Sequence, residues 1–442
     1  MHWEVEHHSE KSKKIAIPHI HKIEGEAGFW AKVTKTGKIE ELKLQTLLGL
    51  RQIEGILVGR RYFEVPIVVS RICGICPVPH ILCAITSLEN ALKIKVSEQT
   101  SLLRKLLLAA NIIHSHTLHL FFLSLPDFFN IEDDLDLLKK FKKESKSALR
   151  IRDLALEITR VVGGRAIHPI TPIVGGFTGL PEREKLKEIL EKIPQAIEDA
   201  NLLIETFKKI EYPEFKRETL FASVFNGKDY PYYVEKFIKI GEEKFTFSDF
   251  YSVQIEEDLK SPPVKRVRFR GKAYMVGAIA RIKNNGKFLT KNSREKFEEF
   301  LKEKKISEEE YFKNIFHNLF SQTIEVLHFL EASQELLREI LKLPLKEEKP
   351  KINPPKCTFW GASGLSALEA PRGTLFHYYE IDKDGRILNC NIVTPTAQFL
   401  HNVEEDLKII LPKILKFKKE ERIRKVRSLI RVYDPCISCA TH

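Results

Sequence analysis

Two Cys-x-x-Cys pairs stand at opposite ends of a 442-residue chain: Cys73-Gly-Ile-Cys76 and Cys436-Ile-Ser-Cys439. A thiolate is a soft ligand, and two thiolates three residues apart can grip one metal ion. If all four serve one site, the fold must bring both ends of the chain together. Zinc ribbons keep their pairs about 15–20 residues apart, far closer than here. Spacing alone leaves a closed structural zinc site and a catalytic metal site both open. A redox disulfide of the thioredoxin type is disfavoured, because there are two pairs. Seven cysteines is an odd number and low for this length. That excludes a disulfide framework and points to free thiols or metal ligands in a reducing compartment.

The chain has material for a large core, with 43 % hydrophobic and 30 % charged residues, so it is neither disordered nor a small stapled scaffold. Length alone would allow about three domains. The net charge of +12 is spread through mixed runs such as Lys139–Glu144 and Lys413–Arg422. Alternating signs read as a solvated surface, and no nucleic-acid signature accompanies them. The N-terminus shows no basic region followed by an apolar one, hence no signal peptide. The longest apolar stretch, Leu102 to Phe129, carries Arg104, Lys105, Asn111, His114, His116 and His119. It reads as too polar to span a membrane. These features together predict a soluble, cytoplasmic protein.

Residues 14–70 read as β-rich, with a hairpin formed by Phe29–Val33 and Ile39–Leu44 around Thr36-Gly37. Helical periodicity covers Ser97–Leu125, closed by Pro126, then Leu149–Val162, and Glu182–Lys209 with an interruption near Pro194. Residues 218–290 return to short β-type runs. A long helix starts at Ser307, where Glu310 completes a capping box; Phe312, Ile315, Phe316, Leu319, Phe320, Ile324, Leu327 and Leu330 form its apolar face. His317 and His328 lie beside that face and read as packed or solvated. A Lys/Pro-rich link, Lys346–Pro355, precedes β-type runs at 374–382 and 386–393.

The residues around the cysteines narrow the choice. The first pair sits in Arg71-Ile-Cys73-Gly-Ile-Cys76-Pro-Val-Pro-His80 and the second in Asp434-Pro-Cys436-Ile-Ser-Cys439-Ala-Thr-His442. Between and before them stand His21-Lys-Ile-Glu24-Gly25, Arg51-Gln-Ile-Glu54-Gly, Gly164-Arg-Ala-Ile-His168-Pro with Val174-Gly-Gly-Phe177, Tyr274-Met-Val-Gly277 with Ala280-Arg281, Glu369-Ala-Pro-Arg372-Gly373, and Pro395-Thr396. In these motifs and their order the chain resembles the large subunit of nickel–iron hydrogenases over nearly its whole length. The resemblance implies an α+β fold, with long central helices, peripheral β-sheets, and N- and C-terminal segments meeting at the metal site. It also implies one integrated unit, 1–442. Its parts would be a β-rich segment with the first cysteine pair (1–96), a helical core (97–210), a β-rich insert (211–300), a long helix (301–345) and a C-terminal segment with the second pair (346–442).

By the same resemblance, Cys73 and Cys436 are terminal nickel ligands, and Cys76 and Cys439 bridge nickel to an iron carrying CO and cyanide. The activity implied is reversible heterolytic cleavage of H2 to protons and electrons. Glu24 would take the proton from Cys436. Arg372, too weak a base to be the acceptor, would orient and polarise above the open site; its other reading is a buried salt-bridge partner. Glu54 and His442 resemble ligands of a magnesium-type ion. His80 would hydrogen-bond near a bridging sulfur. Pro371 and Thr396 would line the pocket for the diatomic ligands, with Thr396 donating to a cyanide. Asp434 would pair with the Arg372 region. Ser115, where some branches carry an aspartate, and His116 would sit just outside the ligands. Lys22, Glu26 and Phe399 depart from residues frequent in the family.

Cys83, Cys357 and Cys390 show no cluster spacing, so this chain would hold no iron–sulfur cluster. Electrons would leave through an iron–sulfur small subunit, with further flavin or iron–sulfur subunits beyond it. A maturation protease and metal-insertion factors are implied as well. The sequence stops at His442 without the extension that family precursors carry, which reads as the mature form or as a branch that lacks one. The Ala-Thr-His ending is most like soluble cytoplasmic branches coupled to nucleotide, deazaflavin, viologen or disulfide-reductase partners. Other readings are a structural four-cysteine zinc protein and an H2-sensing regulatory subunit.

Overall fold

The computed structural model describes residues 7–8, 12–49, 51–256, 264–347 and 361–442. Near the N-terminus an antiparallel sheet, edged by the two-residue strand His7–His8, contains three longer strands: β1 (Ser12–Ile20), β2 (Ala27–Thr34) and β3 (Ile39–Thr46). Period-two patterning puts Phe29, Ala31 and Val33 inside while Lys32 faces out. The expected hairpin is present, with Phe29 opposite Leu44. The β-rich character ends at Thr46. Beyond it, Ile53–Leu57 and Val65–Val69 are helical turns. Ile53 and Leu57, four residues apart, are buried on one face, and Pro66 sits in the first turn, where its missing N–H costs nothing.

Four long helices form the centre: α2 (Glu98–Leu118) and α3 (Lys142–Gly163), then α4 (Arg183–Lys208) and α5 (Asn318–Lys342). They pack pairwise α2 on α3, α3 on α4, and α5 on both α2 and α4. Helix α1 (Pro77–Leu92) precedes them and is buried along almost its whole length. The helix expected to close at Pro126 instead widens into a π turn at His119–Ser124. Pro126 then opens the next helical segment, Leu125–Phe128. Glu98–Phe128 is long and apolar enough to cross a membrane, contrary to the reading of its polar residues. Within the protein 83 % of its most apolar window is buried, as in a core helix. α4 runs through Pro194 without the predicted interruption.

The helix expected from Ser307 begins as predicted, with Ser307 Oγ accepting from Glu310 N at 3.1 Å. It stops after Lys313, because Asn314 turns to extended backbone and its side chain accepts from Phe316 N at 3.0 Å. The chain becomes helical again within four residues and continues as α5.

A C-terminal antiparallel sheet comprises β4 (Ala362–Ala370), β5 (Gly373–Ile381) and β6 (Ile387–Val393). β4 and β5 pack on α1. Helices α6 (Pro395–Ile414) and α7 (Lys419–Val432) then lead to a last turn, Ile437–Ala440. The chain ends therefore interlock through shared packing.

Candidate metal centre

Each cysteine pair is shaped by a short turn. Cys73 follows the turn Ser70–Ile72, and Cys76 immediately precedes α1, whose first residue is Pro77. The backbone N–H groups of Ile75 and Cys76 both point at Cys73 Sγ, at 3.3 Å. Cys436 caps the final turn, its sulfur accepting from Cys439 N at 3.4 Å. The four sulfurs lie within 4.8 Å of one another and all four residues are buried. Cys73 and Cys436 are 3.6 Å apart, and Cys76 and Cys439 are 3.3 Å apart.

Two clasps hold the ends at this distance. Glu24 forms a backbone bridge to the Cys436 segment, with Ile437 N donating to Glu24 O at 2.8 Å. Arg51 donates through Nη2 to the Ile72 carbonyl at 2.7 Å and to the Ser438 carbonyl, while its N–H reaches Thr441 O at 3.0 Å. One guanidinium thus ties the residues beside both cysteine pairs. The motif that carries Arg51 gives no sign of this role.

Protons on these sulfurs are unevenly held. Hydrogen bonds from neighbouring sulfurs hold the Cys73 thiol well below the usual range. Burial pushes Cys436 and Cys439 well above it. Four buried thiolates side by side require cations to balance them. The soft donor set suits nickel and iron. Beside the sulfurs is a small, mainly apolar cavity lined by His80, Pro371, Arg372, Leu375, Pro395 and Thr396.

The nickel-dependent hydrogenase family model matches residues 51–147 and 223–442. The chain belongs to that family. It is 31 % identical to the alpha subunit of sulfhydrogenase 1 from Pyrococcus furiosus, over 97 % of each chain. It is 28 % identical to a subunit of the vhc F420-non-reducing hydrogenase from Methanococcus voltae, over 97 % of this chain and 95 % of the relative. The crystal structure of an NAD+-reducing [NiFe]-hydrogenase in the H2-reduced state shares the fold, with a TM-score of 0.87 at 22 % identity, covering 98 % of this chain and 100 % of the other. The branch of the family read from the sequence agrees with these relatives. This chain is the catalytic large subunit of a hydrogenase, an oxidoreductase acting on H2, and nickel and iron are its metals.

Around the hydrogenase's four sulfurs, several expected residues converge. Glu24 Oε2 is 2.9 Å from Cys436 Sγ, and its carboxylate accepts from Ser438 N at 3.2 Å and Ser438 Oγ at 2.8 Å. Burial, then the charge of Cys73, raises its pKa. Arg372 Nε donates to the Asp434 carbonyl at 2.7 Å and Nη2 to Asp434 Oδ1 at 2.8 Å. Arg372 Nη1 reaches Ser115 Oγ at 3.4 Å. Arg372 is thus a buried salt-bridge partner of Asp434, and it also lines the cavity beside the sulfurs. Thr396 Oγ1 accepts from Cys436 N at 3.0 Å.

His80 lines the same cavity, and its ring hydrogen-bonds to His377 at 3.2 Å, which bonds to Tyr379 OH at 2.7 Å. Burial lowers the His80 pKa to about 3, so the ring is neutral. His116 Nε2 lies 2.8 Å from Glu325 Oε2. Glu325 and Glu369 flank the fully buried Arg281, which also donates to the carbonyls of Ala370 at 2.9 Å and Pro371 at 3.0 Å. Arg281 so positions the turn that carries Pro371 and Arg372. At Gly277, with φ +102°, a Cβ would lie 2.9 Å from the Arg372 carbonyl, so only glycine allows this approach. His377, Tyr379, Glu325 and Ser438 were not singled out from the sequence.

Glu54 and His442 are also brought together, with 3.6 Å between His442 Nε2 and Glu54 Oε1. The same carboxylate oxygen, however, is 2.5 Å from the ammonium of Lys265. Burial would raise the Glu54 pKa; the His442 hydrogen bond and the Lys265 charge bring it to about 2. A donor set whose only carboxylate already carries an ammonium does not fit the magnesium-type ion that the resemblance implies. Cys83 and Cys390 are buried free thiols, pushed up by burial, Cys390 to about 12. Cys357 lies outside the described residues.

Proposed function

We propose that the hydrogenase moves the proton released from H2 through Cys436 and Glu24, while electrons pass to a separate iron–sulfur small subunit. The 2.9 Å approach of Glu24 Oε2 to Cys436 Sγ carries this reading. Bound nickel and iron, the latter with CO and cyanide ligands, supply the acidity and electron acceptance that heterolytic cleavage requires. Cys436 receives the proton on sulfur and Glu24 takes it from there, since a positioned carboxylate transfers protons readily. Ser438 holds the carboxylate in place by two hydrogen bonds. Asp434 fixes the Arg372 guanidinium over the cavity, where it polarises without losing its own proton. Thr396 accepts from Cys436 N, which leaves its hydroxyl hydrogen free to be directed at a cyanide.

Cys83, Cys357 and Cys390 show no cluster spacing in the sequence, which supports export of electrons to another polypeptide. Its partners then include the small subunit, flavin or iron–sulfur subunits beyond it, and the protease and insertion factors that mature the site. The assembly is soluble and cytoplasmic in this reading, as the reducing conditions suited to free thiols favour.

Infrared spectroscopy on the anaerobically purified complex tests the metal site. Bands from bound CO and cyanide, in a window where side chains do not absorb, together with nickel and iron by metal analysis, are expected. Zinc without nickel, or absence of those bands, would overturn the proposal in favour of a structural zinc site.

A further inference from the structure

The cluster at Glu54 holds its cation already. Lys265 lies just before the strand Val267–Phe269, and its side chain is 17 % exposed. Its Nζ is 2.5 Å from Glu54 Oε1, 2.5 Å from Asn391 Oδ1 and 3.2 Å from the Ile392 carbonyl oxygen. An ammonium has three N–H donors and no acceptor, so three oxygens satisfy it completely. The oxygens are themselves fixed: Ile392 N donates to Glu54 Oε1 at 2.6 Å, and Asn391 Nδ2 donates to Tyr251 OH at 2.5 Å. That second bond orients the amide with its oxygen towards Lys265. His442 reaches the same Ile392 carbonyl at 3.1 Å.

A carboxylate, an amide oxygen and a backbone carbonyl are the hard donors that a divalent ion would take. Only one of them is charged. Glu54 and Lys265 already sum to zero, and a divalent ion would stand as an uncompensated double charge within a few ångströms of the ammonium. We propose that the Lys265 ammonium is the resident cation of this cluster and replaces the divalent ion implied by the hydrogenase resemblance. It joins the Glu54 turn, the end of β6 and the segment before Val267, three parts distant in sequence. Through Ile392 and His442 it steadies the terminal turn that carries Cys439.

This proposal rests on membership of the family but not on the state of the nickel–iron site, so the two are read separately. Metal analysis of the purified complex should give nickel and iron but less than one-tenth of an equivalent of magnesium, manganese or calcium per large subunit. Its thermal midpoint should be unchanged by EDTA or by millimolar magnesium chloride. The complex carrying Lys265→Met, which keeps length and removes charge, should melt several degrees lower, with millimolar magnesium chloride restoring part of the loss. One equivalent of magnesium in the unaltered complex, a midpoint lowered by EDTA, or an unchanged midpoint in Lys265→Met would each overturn it. If Lys265→Met does not assemble, the metal analysis and EDTA titration of the unaltered complex decide alone. Failure of the hydrogenase reading would show as absent nickel, whatever the magnesium content.

Discussion

Glu24 has three partners within one turn of chain: Cys436 Sγ, Ser438 N and Ser438 Oγ. Two of these contacts fall on Oε2 and one on Oε1. Glutamine can reproduce that pattern, its amide oxygen replacing Oε2 and its NH2 donating to the Ser438 hydroxyl. Glu24→Gln should therefore keep the fold and the metal content while removing the proton carrier. Isotope exchange between D2 gas and water, followed by mass spectrometry, should slow at least ~100-fold, the lower end of what a positioned acid–base group contributes. Infrared bands of the site should stay in place. An unchanged exchange rate would take Glu24 out of the route. The meeting of Glu24, Arg372 and the four cysteines was readable because each sits in a dense motif. The roles of Arg51, Ser438 and Lys265 were not, because their partners include backbone carbonyls or residues far along the chain. The Arg51–Ser438 contact spans 387 positions, and no local pattern marks such a pairing.

At the scale of elements, periodicity found the helices and hairpins well and their ends less well. It missed the break at Asn314, where a side chain competes with the helix for a backbone N–H, and it missed the turns after Thr46. It also had no means to show that β4 lies directly on α1. That contact depends on Gly364, where a Cβ would meet the Ser87 carbonyl at 2.0 Å and Ala91 N at 2.7 Å. Both are backbone atoms and cannot swing aside. Ser87 Oγ also donates to Gly364 O at 2.7 Å, which locks the helix to the strand. α1 starts at the first cysteine pair and β4 ends at the turn bearing Arg372, so this contact sets one against the other. Gly364→Ala should cost at least ~1–3 kcal/mol, as overpacking of a tight core does. Denaturant unfolding of the purified variant would show it, and nickel content should fall with it. Equal stability and full nickel would mean that the α1–β4 spacing is not critical.

For the whole molecule, a metal site made from both ends ties its assembly to completion of the fold. The interior that results holds several histidines away from water, and two of them that do not line the metal-site cavity make its stability depend on pH. His317 donates from Nδ1 to the Tyr311 carbonyl at 2.7 Å, stacks on Tyr311 and has the Lys304 charge nearby. His328 accepts on Nδ1 from Thr290 N at 3.1 Å and lies against Tyr230, with the Glu325 charge opposing the effect of burial. Burial is the largest cause in both cases and lowers each pKa to about 4 from an ordinary 6.5. Below 6.5 the unfolded chain binds protons that these buried rings refuse, so the unfolded state gains. Stability from this source is complete above pH 6.5 and is lost as pH falls from 6.5 towards 4. Each histidine contributes about 1.4 kcal/mol per pH unit across that window, so the pair should lose ~4 kcal/mol between pH 7 and pH 5. Urea unfolding at both pH values measures the loss. The double variant His317→Gln, His328→Gln should be less stable at pH 7, yet its loss on going to pH 5 should be smaller by most of that amount. An equal loss in both proteins would assign the acid sensitivity to other groups.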